Sequence, residues 1–141
     1  MRIYLPLLLQ LAGVLHLGLF VAGMMMPGVV KVRMHLAPLP VFIRRLFWVY
    51  YTFIGLCIIS FSVVTIAFAE TLAAGGSLAR AMCAFFAVFW TLRLAVATWI
   101  FDMRPYLTSK ARRLGYSFLN LVFVYLPIVY GLAAVQPRWL N

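Results

Sequence analysis

The stretch Ile3–Val30, IYLPLLLQLAGVLHLGLFVAGMMMPGVV, contains no charged residue. At about 1.5 Å per residue, part of this run is enough to cross the ~30 Å hydrocarbon layer of a bilayer. It is also longer than the roughly 7 to 15 apolar residues of a signal peptide, and no Ala-x-Ala-like site closes it, so it reads as a retained transmembrane span. The pattern repeats. Leu46–Ala69 is free of charge apart from its borders at Arg44, Arg45 and Glu70, with Trp48, Tyr50 and Tyr51 where an interfacial aromatic belt lies. Ala73–Gly76 predicts a tight connection, with Ser77 placed to cap a helix opening at Leu78. A third span covers about 81–101, interrupted by Arg93 and stopped by Asp102 and Arg104-Pro105. The fourth covers 114–135, with Pro127 inside it.

Composition agrees with these four runs. Of 141 residues, 67% are hydrophobic and 10% charged, against roughly half and a quarter in soluble domains. Four spans consume nearly the whole length, which leaves a single transmembrane domain over 1–141 and no room for an aqueous catalytic domain. The expected fold class is an all-α integral membrane protein, a four-transmembrane-helix bundle. A net charge of +10 would ordinarily suggest nucleic acid, but the basic residues sit in short clusters between apolar runs, which argues against it.

Those clusters predict orientation. Lys31, Arg33, Arg44 and Arg45 lie between spans one and two, and Arg104, Lys110, Arg112 and Arg113 between spans three and four, while Arg2, Arg80 and Arg138 lie on the other side. The asymmetry places both basic loops in the cytoplasm and both termini outside, as in a bacterial inner membrane. The same eight cations offer a surface for anionic lipid or an acidic partner, at about 1 kcal/mol per basic residue near an anionic leaflet.

Polar groups at membrane depth are the candidate binding residues. Arg93 stands out, because a guanidinium near the centre of a span costs about 2.5–3.5 kcal/mol on insertion scales and needs a partner or water. It shares a stripe with Met82, Phe86, Trp90, Ala97 and Arg104, which predicts a protein-facing surface on which Trp90 stacks under the guanidinium. His16 is central in span one, on a face with Gly13, Phe20, Gly23 and Pro27 that lets a neighbouring helix approach closely. It reads first as a neutral interhelical hydrogen bonder; a haem completed by Met or by a second chain is the sharper alternative, since His35 lies in a basic loop. Asn120 belongs to a stripe with Tyr116, Phe123, Pro127 and Tyr130. Counted from span midpoints, Arg93, Asn120 and the Tyr50–Tyr51 pair fall ~3, ~7 and ~11 Å toward the basic loops, which predicts a polar pocket opening on that side.

Other features read as structural. Cys57 and Cys83 differ in depth by roughly 12 Å, beyond the ~7 Å limit on disulfide Cα separation, and are expected to be buried fillers. Met24, Met25 and Met26 fan over about 200° of helix, so packing is favoured over copper. Glu70 can pair with Arg80 across the hairpin. No metal-ligand spacing, phosphate loop or acid-base pair is present, and both carboxylates lie at span ends, which weakens both catalysis and proton-coupled transport.

The segments Phe47-Trp48-Val49-Tyr50-Tyr51, Ser77-Leu78-Ala79-Arg80-Ala81-Met82-Cys83-Ala84-Phe85 and Phe89-Trp90-Thr91-Leu92-Arg93-Leu94 resemble a group of small, uncharacterised four-span bacterial membrane proteins. The resemblance implies the four-span architecture and no activity; in that group a histidine stands where this chain has Tyr50 or Tyr51. The sequence thus favours a non-catalytic accessory subunit, docking against a larger membrane complex or copies of itself. Next comes a lipophilic-ligand protein or membrane enzyme binding a quinone or acyl lipid around Arg93, His16, Asn120, Trp90, Tyr50 and Tyr51, and last a small transporter.

Overall fold

Four long helices carry the apolar runs. A computed structural model describes residues 4–135: α1 Tyr4–Val30, a short α2 Val32–Leu36, α3 Val41–Ala67, a short α4 Ala69–Ala73, α5 Ser77–Trp99, a 3-10 turn Arg104–Tyr106, and α6 Lys110–Val135. The chain is an all-α four-helix bundle, and α1, α3, α5 and α6 are each long and apolar enough to cross a membrane.

The helices outrun the apolar spans at the basic end, and local chemistry explains where. Pro40 precedes α3 in an extended conformation, so α3 starts at Val41 and takes Arg44 and Arg45 into its first turns. Ser109 Oγ accepts the Arg112 N–H at 3.2 Å, an N-cap that starts α6 four residues before Leu114. Lys31 sits in the left-handed region (φ 55°) and breaks α1 from α2. At the opposite end Phe68 interrupts α3, and the hairpin turns through Gly75, whose φ of 79° a side chain would oppose. Ser77 does not cap α5: Gly76 holds the N-cap position with no side-chain bond, and the helix begins at Ser77 itself. Pro27 and Pro127 both lie within continuous helix.

Packing is uneven along the bundle. α1 pairs with α3 and α5 with α6, and the pairs meet mainly through α1 against α6 and α4 against α5. The buried residues of α1 end at Leu19, those of α3 begin at Ser62, those of α5 end at Trp90, and those of α6 begin at Val122. Toward the basic loops, residues 20–30, 41–61, 91–99 and 110–121 include no buried residue. The core therefore fills one half of the bundle, and the long helices bury no residue fully in the other half.

Small residues permit the close approach within α1 and α3. A Cβ on Gly13 would run into the Ile66 side chain and come within 3.3 Å of its backbone nitrogen, whereas Gly18 faces open space. Gly13→Leu should lower stability in detergent by about 1–3 kcal/mol through overpacking. Gly18→Leu should leave the thermal midpoint unchanged, as circular dichroism melts of the two variants would report.

Candidate functional site

A polar cluster at the edge of the core ties together all four long helices. His16 on α1 is fully buried; its Nδ1–H donates to the Ala12 carbonyl at 2.7 Å, and its Nε2 accepts the Trp90 Nε1–H of α5 at 3.0 Å. Only the neutral imidazole satisfies both bonds. On α3, Ser62 Oγ–H donates to the Gly13 carbonyl at 2.7 Å, and Thr65 shares a 2.7 Å hydroxyl bond with Tyr130 of α6. The rings of Trp90 and Tyr130 lie edge-on to His16 at 5.0 and 6.0 Å. Around them Phe61, Phe86 and Phe89 close the aromatic shell. Buried polar atoms in lipid must be matched inside the protein, and every such side-chain atom among the described residues has a partner.

This saturation bears on what His16 can do. The lone pair that would take haem iron is occupied by the Trp90 N–H, so iron would have to displace that bond. The arrangement is that of an interhelical clasp.

Arg93 lies one turn beyond Trp90, about 4.5 Å toward the basic loops. By helical angle it continues the buried stripe of Ala79, Cys83, Phe86 and Trp90, within about 50° of its mean. Yet Arg93 is exposed and makes no hydrogen bond or ion pair among the described residues. The stripe is buried only as far as Trp90, and Arg93 falls beyond that point. Trp90 lends its N–H to His16 instead of stacking under the guanidinium.

The remaining candidates are dispersed. Asn120 is half-buried, roughly 140° around α6 from the mean of that helix's buried residues, and no hydrogen bond among the described residues joins it to Arg93 or His16. Tyr50 is 61% exposed, so its ring faces outward. Tyr51 is half-buried, donates its hydroxyl to the Gly23 carbonyl and stacks on Phe47, which fastens α3 to α1 at the basic end.

The two basic loops differ in how their cations are used. Arg104 pairs with Asp102 at 3.4 Å, Arg112 donates to the Tyr106 carbonyl and to Thr108, and Arg113 donates to the Leu107 carbonyl. Lys110, and all four of Lys31, Arg33, Arg44 and Arg45, make no side-chain hydrogen bond or ion pair among the described residues.

Two structural expectations are corrected. Arg80 does not meet Glu70; its guanidinium donates to the Ala134 and Val135 carbonyls at 2.8 and 3.3 Å, closing the end of α6, where helix carbonyls lack their own donors. Cys83 is buried, but Cys57 is exposed on the outer face of α3, because the face of α3 that meets α1 carries Gly55, Ser62 and Ile66.

Sequence reasoning placed His16 and Trp90 on interior faces but missed Thr65, Ser62 and Tyr130 as their companions. Depth counted from span midpoints did not point to them, since it sets Ser62, Thr65 and Tyr130 roughly 7–11 Å from the level of His16. Trp90→Phe would leave His16 Nε2 buried without a donor and should cost about 1–2 kcal/mol. Thr65→Val combined with Tyr130→Phe should cost less than the sum of the two single changes, a double-mutant cycle in detergent unfolding being the check. No family model, curated protein or solved structure matches this chain.

Proposed function

We propose that this chain is a non-catalytic subunit of a larger inner-membrane complex, and that a transmembrane helix of a partner packs on the half of the bundle in which its own helices bury no residue fully. Arg93 carries the reading: an arginine on the interior stripe, at membrane depth, without a counter-charge. Only two acidic residues exist in the chain. Asp102 is engaged by Arg104, and Glu70 lies at the far end of the bundle, so a second copy supplies no carboxylate at that depth. A different polypeptide bearing Asp, Glu or a run of free carbonyls does.

In this reading both basic loops face the cytoplasm, the termini lie outside, and the loops rest on anionic lipid. The exposure of Arg93 on an otherwise apolar stretch of α5 also favours a second reading, a lipophilic ligand with a carboxylate, phosphate or carbonyl head, such as an acyl lipid or quinone.

Purification from native membranes in mild detergent, followed by native mass spectrometry, separates the two. The wild-type chain should run with a second polypeptide, and Arg93→Ala should release it while the isolated chain stays helical. Removal of the cation should also ease insertion of α5 by about 2.5–3.5 kcal/mol. A wild-type monomer retaining a small lipophilic molecule that Arg93→Ala loses would overturn the subunit reading in favour of the ligand.

A further inference from the structure

Away from Arg93, the α1–α3 pair carries a groove that runs from the apolar helix surface to the first basic loop. Three adjoining hollows share Trp48. One, of about 480 Å³, is apolar and lies between the helices against Phe20, Gly55 and Ile58. The next, of about 530 Å³, reaches Met24, Tyr51 and Lys31. The third, of about 490 Å³, is lined by Arg33 and Arg44 at the loop. Each is within the size range of small-molecule sites.

The groove is apolar at one end and cationic at the other, and its cations are the ones the protein does not use. Arginines of the second loop are spent on Asp102 and on backbone carbonyls, whereas Arg33, Arg44 and Lys31 have no partner among the described residues. A small polar ligand would leave the Phe20–Ile58 end empty, and an uncharged lipid would leave the arginines unmatched. We infer that the α1–α3 groove binds one anionic glycerophospholipid, its phosphate held by Arg33 and Arg44 and an acyl chain lying past Trp48 toward Phe20. Trp48 sits at the junction, the position where indole rings favour the boundary between headgroup and chain. The site is independent of the proposed partner of Arg93, since it lies on the other helix pair.

The test is titration of the full-length protein in neutral detergent with phosphatidylglycerol or phosphatidylcholine, read by native mass spectrometry. Phosphatidylglycerol should bind preferentially. Arg33→Gln with Arg44→Gln should weaken that binding by about 30-fold, the combined effect of two basic residues on an anionic headgroup. Arg112→Gln with Arg113→Gln should change it less than about twofold, because those side chains are engaged elsewhere. Equal losses in the two double variants would reduce the effect to general surface charge and overturn the site. So would equal binding of the two lipids, or full displacement by soluble glycerol phosphate, which lacks the acyl chain. A readout that needs no arginine variant is quenching by phosphatidylglycerol brominated on its acyl chain: the wild type should lose a fluorescence component that Trp48→Phe lacks. Identical quenching of the two proteins would overturn the acyl-chain placement.

Discussion

The His16 imidazole, fixed between a carbonyl of its own helix and the indole N–H of Trp90, is the interaction on which the bundle depends. Lipid tails are as apolar as leucine, so burying apolar side chains does little to hold membrane helices together. Close packing and matched polar groups do that work. Here the matched groups are concentrated in one half of the bundle: His16 with Trp90 joins α1 to α5, Thr65 with Tyr130 joins α3 to α6, and Ser62 with Gly13 joins α3 to α1. The Tyr125 hydroxyl adds a bond from α6 to the Leu8 carbonyl of α1 at 3.0 Å. Gly13 serves twice, since its missing side chain lets Ile66 in and its carbonyl receives Ser62.

The spans were legible in the sequence because helix length and charge exclusion are imposed by the bilayer and leave a one-dimensional trace. Faces were partly legible: periodicity put His16 with Gly13, and Trp90 with Phe86, on interior stripes. Rotation of one helix relative to its neighbours has no such trace. It decides that Trp90 reaches His16 and not Arg93, and that Asn120 lies away from both. The Arg80 contact was hidden for a related reason. Its partners are backbone carbonyls, which every residue has, so nothing in the letters distinguishes Ala134 from any other helix end.

Depth alone also misled for Arg93. Its stripe is interior by angle, and the expectation that it faces protein assumes a bundle packed along its whole length. The long helices bury residues fully only in the half away from the basic loops. The same unevenness separates the roles of the basic residues. Where the chain supplies its own acceptors, as around Tyr106 and Leu107, arginines order a loop; where it supplies none, as at Arg33 and Arg44, they remain available to something outside the protein.

Because the hydrogen bonds and ring contacts linking the helix pairs lie from His16 and Trp90 outward to the opposite end, the molecule is built like a pair of tongs with its rivet off-centre. From Leu19 to Val30, α1 runs on for about 16 Å past the rivet. Over that length a tilt of about 5° corresponds to a displacement of about 1 Å at the first loop. The end without a buried core is the end that carries the positive charge.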